Sequence, residues 1–238
     1  MQSNKNFLVI DTAYSGFTIG IHYAGQKFLY QEDTSRDQAS NLLPQIDLLL
    51  KKTLLNKTDL DFIVVSRGPG SFTGIRLGIA AAQAIGLALN IPVYGISIFD
   101  VLNYSAQKIV SHTENYFLVM ETYKDYYYVQ SVNQTEKDVS EIFFLSKEQI
   151  SEIIVSDSMR HYFGNTHLDF VETLQKRQGI PLVSRHHYPK ISGDDFIDHV
   201  SSLDFENNEQ YSVIDPIYLR PADVSESKKK QRVLLKKP

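Results

Sequence analysis

Apolar positions along this chain change their period several times, and each change marks an element. Phe7-Leu8-Val9-Ile10 is an unbroken apolar run closed by Asp11-Thr12, the pattern of a buried strand. Phe17–Tyr23 alternates, Ala24-Gly25 supplies a two-residue turn, and Lys27–Gln31 follows, which predicts an antiparallel meander of three strands. Leu42, Leu43, Ile46, Leu49, Leu50 and Leu54 then recur at helical spacing, with Pro44 either in the first turn or at a kink. Phe62–Ser66 and Pro92–Ser97 read as strands, and Gly74–Leu89 and Phe99–Gln107 as helices. The first half is therefore expected to run β-β-β-α-β-α-β-α.

The second half opens with an echo of the first. Phe117-Leu118-Val119-Met120-Glu121-Thr122 repeats Phe7-Leu8-Val9-Ile10-Asp11-Thr12 at four of six positions, and each run leads into a second strand-like stretch, Tyr126–Val132 or Phe17–Tyr23. The shared context predicts a duplicated β-β-β-α unit, degenerate in its second copy. Beyond Phe143 the patterning weakens, with helices expected near Lys147–Ile154, Leu168–Arg177 and Asp194–Leu203 and a closing segment at Tyr211–Leu219. Three regions follow: a lobe over 1–108, a second over 109–222 and a basic tail over 223–238.

Composition narrows the chemistry. The 238 residues include no cysteine, which removes disulfides, thiolate zinc sites and a cysteine nucleophile together. No leader-like stretch and no run of about 18 apolar residues is apparent, so the expectation is a cytoplasmic protein with no membrane partner. Six basic residues stand against Glu226 in Ser225–Pro238, so the rest of the chain carries −9 against a whole-chain charge of −4. An acidic body repels phosphate at long range, and a solvated, disordered tail is favoured over an RNA-binding one.

The densest signal is Arg67-Gly68-Pro69-Gly70-Ser71-Phe72-Thr73-Gly74-Ile75-Arg76, leaving a strand and opening a helix. Gly68 and Gly70 permit positive φ on either side of Pro69, and Ser71 or Thr73 is placed to cap the helix. The loop lacks the lysine of a P-loop, and its third glycine falls one residue late for a dinucleotide fingerprint. Gly78, Ala82 and Gly86 then form a small-residue stripe that suits close helix approach, either within the chain or as a partner or dimer interface.

This ten-residue loop closely resembles the signature of the bacterial TsaB (YeaZ) family. Ile10-Asp11-Thr12-Ala13, Leu42-Leu43-Pro44 and Tyr218-Leu219-Arg220 agree with it in order; the likeness is close over 7–105 and loose beyond. The resemblance implies an actin/Hsp70/sugar-kinase-like (ASKHA) α/β fold of two lobes, and a non-catalytic subunit that binds and activates a TsaD-like catalytic subunit. With a TsaE-like ATPase, such proteins form N6-threonylcarbamoyladenosine beside the anticodon of tRNAs reading ANN codons. It further implies a homodimer when alone, tRNA contact only through the complex, no cofactor on this chain alone, and ATP and a metal ion on the partner subunits. The related catalytic subunit holds its metal with two histidines at i, i+4. Ile98 and Leu102 stand at the comparable positions here and donate no lone pair. Two departures are Glu121-Thr122-Tyr123, where the family favours an Asp-Ala-Arg-like run, and Gln38, where it often has histidine.

Other chemistries find less support. Asp11 ends the first strand, where actin-like ATPases keep a carboxylate near the nucleotide's metal, so a vestigial nucleotide site and a lone kinase or ATPase are the alternative; a turn-stabilising acid is favoured. The seven histidines form no i, i+4 pair, and His186-His187 read as an exposed loop. No G-x-S-x-G elbow occurs. Tyr126-Tyr127-Tyr128 fits half-buried sheet packing better than base stacking.

Overall fold

The computed structural model describes residues 5–14, 16–33, 37–111, 114–122, 125–136, 138–156, 161–165, 184–187, 191–205 and 207–219. The first sheet contains β1 (Phe7–Asp11), β2 (Phe17–Tyr23), β3 (Gln26–Glu32), β4 (Phe62–Ser66) and β5 (Val93–Ile96), in the order β3-β2-β1-β4-β5. The meander forms as its pattern predicts: Ala24 and Gly25 both take positive φ, and Tyr23 pairs with Gln26 across the two-residue turn. β4 and β5 join in parallel, each reached through a helical crossover.

The unbroken apolar run of β1 has a direct cause, because both faces of its sheet are covered. Leu8 and Ile10 pack with Ile63 and Val65 against α1 (Gln38–Thr53) and α2 (Phe72–Leu89). Phe7 and Val9 pack with Phe62 and Val64 on the other side, against α3 (Ile98–Gln107) and α5 (Gly193–Ser202). Pro44 lies inside α1, beyond its first turn.

The second sheet repeats the plan. β6 (Tyr116–Glu121) is central, antiparallel to β7 (Tyr126–Asn133) and parallel to β10 (His161–Gly164), which pairs with β11 (Ser184–His187). β8 (Asp138–Val139) and β9 (Phe143–Ser146) both pair with β7, in the place β3 takes beside β2. The echoed hexapeptides thus lie on equivalent central strands, and the duplicated actin-like fold is present. α4 (Lys147–Ser156) buries Ile150 against Phe117, Val119 and Tyr162, so the layers run α1/α2, first sheet, α3/α5, second sheet, α4.

Several expectations are amended. The sheets part around residue 108, but α5 crosses back: Gly20 lies so close to Ile197 that a Cβ there would meet its Cδ1 at 2.9 Å, and Gln31 Nε2 donates to the Ile191 carbonyl at 3.0 Å. His186 and His187 lie on β11, not in a loop. α2, at 18 residues and mean hydropathy 1.5, does reach the length and apolarity of a membrane span, though one face is seated on the sheet. Tyr127 and Tyr128 are buried, and Tyr126 stacks on Phe144 at 4.8 Å, in line with sheet packing. The helix expected at Leu168–Arg177 and the tail at 223–238 lie outside the described residues.

Candidate functional site

The signature loop links β4 to α2 and is fastened to the chain just past β1 by two hydrogen bonds. Ser71 N–H donates to the Ala13 carbonyl at 2.8 Å, and the Thr12 hydroxyl donates to the Gly74 carbonyl at 2.6 Å. Ser71, not Thr73, is the N-cap, its Oγ accepting from Gly74 N–H at 3.2 Å. A helix N-terminus that welcomes anions needs free N–H groups. Two of those at this turn are already spent, and the carbonyls of Thr12 and Ala13 face it.

The glycines serve different ends. Gly68 uses positive φ (92°), next to a cis Gly68–Pro69 bond. Gly70 does not, contrary to expectation; it is small because a Cβ would overlap the Ala13 carbonyl. Gly74 stands likewise against the Thr12 carbonyl. Pro69 is buried beneath the loop, whereas Phe72, Thr73 and Arg76 point outward.

Asp11 sits behind this loop and is 3% exposed. Its Oδ1 accepts from Ala13 N–H at 2.9 Å, so it stabilises the turn. Burial pushes its carboxyl up to about 6, against the lowering effects of the Ala13 amide and the Ser66 hydroxyl. Burial, then the Asp11 charge, pushes the Tyr14 phenol upward as well.

The small-residue stripe is corrected as a partner or dimer interface. A Cβ on Gly78 would overlap Thr12 Oγ1, one on Gly86 would overlap Val93 Cγ2, and Ala82 is fully buried. The stripe is the surface by which α2 lies on its own sheet. The opposite face is the open one: Phe72, Ala80, Ala84, Leu87 and Ala88 are exposed, Leu87 at 85%. α1, which touches α2, also exposes Leu43 and Leu48, and Leu54 just past its end is exposed as well. The signal for this face in the sequence is the composition of α2, apolar on nearly every side. The glycine pattern is narrower and marks only the face that is seated.

At the N-terminal end of this face Arg76 binds the returning chain. Its Cζ lies 3.9 Å from the Phe72 ring centroid and its Nε donates to the Tyr218 hydroxyl at 2.8 Å. Ile217 N–H donates to the Arg67 carbonyl at 2.8 Å. Tyr218-Leu219 and the signature loop are thereby brought together. Ile98 and Leu102, fully buried, belong to the core between the sheets.

Known proteins resemble this chain in sequence and in fold. The sequence pattern of the TsaD family, tRNA N6-adenosine threonylcarbamoyltransferase, matches residues 30–137. The chain is similar to the tRNA threonylcarbamoyladenosine biosynthesis protein TsaB of Haemophilus influenzae, 29% identical over 154 residues, covering 64% of this chain and 65% of the relative. Likeness to the protein of that name in Buchnera aphidicola subsp. Baizongia pistaciae is 34% over 108 residues, 45% of this chain and 48% of the relative. The chain thus matches between about half and two thirds of these relatives' length. Among solved structures, YeaZ from Pseudomonas aeruginosa superposes with a TM-score of 0.70 at 20% identity, over 90% of this chain and 100% of that one, a likeness of fold.

Proposed function

We propose that this chain, which belongs to the TsaB (YeaZ) family, is a non-catalytic subunit in the formation of N6-threonylcarbamoyladenosine in tRNA. It binds and activates a TsaD-like catalytic subunit, works with a TsaE-like ATPase, pairs with itself when alone, and meets tRNA only through the complex. ATP and the metal ion belong to the partner subunits. The observation that carries the reading is the uncovered, mostly apolar face of α2, with Ala80, Ala84, Leu87 and Ala88 in solvent beside the polar Arg76 and Gln83. In its neighbour, the signature loop, the Ser71 and Gly74 N–H groups are already bonded and the carbonyls of Thr12 and Ala13 stand where a phosphate would approach.

Mixing the purified chain with a TsaD-type subunit from the same cell tests this. A complex that elutes as one species at micromolar concentration, and raises threonylcarbamoyl transfer to tRNA, is the expected result. Absence of association removes the proposal. Heat from ATP and Mg²⁺ binding to the isolated chain, lost in Asp11→Ala, would instead favour an actin-like kinase or ATPase acting alone.

A further inference from the structure

A cavity of about 310 Å³ opens at the ends of β4 and β5, closed by α3, α5 and the turn at Glu209–Ser212. Arg67, the residue before the signature glycines, enters it from β4. Gly95 makes room for it, since any side chain there would strike the Arg67 stem and the Val213 carbonyl. Among the described residues the half-buried guanidinium has no ion pair and no hydrogen bond, and its Nε is buried. That nitrogen gives up hydration without a return, while the rest of the group faces the cavity.

Asp100 lines the same cavity from the first turn of α3. One carboxylate oxygen accepts from Ser97 N–H at 3.0 Å, as part of the helix cap. Burial raises the pKa of this carboxyl above the ordinary aspartate value, against the lowering effects of the Ser97 amide and the Arg67 charge, and no contact within 4.0 Å joins Asp100 to Arg67. His199, whose ring nitrogens are buried without partners, is held neutral by burial, its pKa down to about 4. The other polar lining, Asn103, Gln210 and Tyr211, is uncharged at neutral pH. The cavity therefore presents one guanidinium and one carboxyl group, set apart, among neutral dipoles.

We propose that this cavity binds a small zwitterion of the α-amino acid class, its carboxylate on Arg67 and its ammonium on Asp100. A lone anion would meet Asp100 and a lone cation would meet Arg67; a molecule carrying both charges satisfies each. The volume lies at the small end of ligand cavities, which run roughly 300–1,000 Å³, and suits a metabolite of a few heavy atoms better than a nucleotide. The inference stands on its own residues and does not depend on partner binding.

Saturation-transfer NMR and calorimetry on the full chain test it, with L-serine and L-asparagine as probes and acetate, ethylammonium and inorganic phosphate as single-charge controls. The amino acids are expected to saturate in the millimolar range or tighter, with each control at least tenfold weaker. Arg67→Met, which keeps the stem over Gly95, and Asp100→Asn, which keeps a cap acceptor, should each weaken amino-acid binding tenfold or more. Asp100→Asn should also narrow the gap between amino acid and acetate. Equal binding of acetate and amino acid by the wild type, or no saturation by any probe so that the cavity holds water only, overturns the proposal. If Arg67→Met does not fold, the wild-type panel and Asp100→Asn still decide.

Discussion

The Thr12 hydroxyl lies where two demands on α2 meet: it donates to the Gly74 carbonyl at 2.6 Å, and it is the atom a side chain at Gly78 would strike. One contact thus ties the end of the central strand to the first turn of the helix and fixes how close the helix lies. A bulky residue on the stripe must push α2 off the sheet or break that hydrogen bond.

Gly78→Leu is therefore a stability variant. Overpacking a close contact costs about 1–3 kcal/mol and sometimes more. Urea denaturation followed by circular dichroism should show a loss of that size, while Ala84→Leu on the open face should stay within about 0.5 kcal/mol of the parent. A Gly78→Leu protein with an unchanged midpoint would mean that α2 is not seated as described.

Asp11 makes stability fall as pH rises. Its folded pKa, about 6, lies above the ordinary aspartate value of 3.8, so between these limits the folded chain holds a proton that the unfolded chain has released. Stability from this group is full below 3.8, declines across the window, and has reached its full loss once pH exceeds about 6. Each pH unit of that window is worth about 1.4 kcal/mol, so the whole loss is on the order of 3 kcal/mol. Asp11→Asn keeps an acceptor for Ala13 N–H and carries no charge. It should be more stable than the parent at pH 7, with the advantage shrinking towards about pH 4, as read from urea midpoints at several pH values.

The contrast between Gly78 and Ala84 also shows what the sequence could and could not tell. The hexapeptide echo placed β1 and β6 correctly, because central strands covered on both faces must be apolar throughout, and that pattern survives divergence. β10 and β11, four residues each, carry no comparable pattern: Ser184-Arg185-His186-His187 pairs only because β10 offers it an edge. The return of α5 to the first sheet was illegible for a similar reason, since an amphipathic helix shows which face is buried but not which sheet buries it. For α2, small residues every fourth position marked a close approach without naming the neighbour. Side chains at the strands' ends, Thr12 and Val93, not a second helix, turned out to be that neighbour.

Arg76 pins the end of the described chain. Exposed cation–π contacts are worth about 0.5–1 kcal/mol, and the Tyr218 hydrogen bond adds a similar amount. Arg76→Ala should leave global stability nearly unchanged while loosening the returning segment. Hydrogen exchange at Ile217, whose N–H donates to the Arg67 carbonyl, should rise several-fold, with amides of β1 and β4 unaffected. A uniform rise across the first sheet would show instead that Arg76 supports the lobe itself.

Leu87→Glu separates folding from association. Leu87 is 85% exposed, near the C-terminal end of the open face, so a charge there costs the isolated chain little. Set against an apolar partner surface, the same carboxylate would be buried without a counter-ion, a penalty of several kcal/mol. The variant should therefore keep the melting curve of the parent, while sedimentation velocity shows at least tenfold weaker association, with itself and with a TsaD-type subunit alike. Self-association lost while the TsaD complex persists would assign the face to the homodimer alone and move the activating contact elsewhere. Both associations surviving unchanged would leave the apolar face of α2 without the role given to it, and the proposed function would lose the observation it rests on.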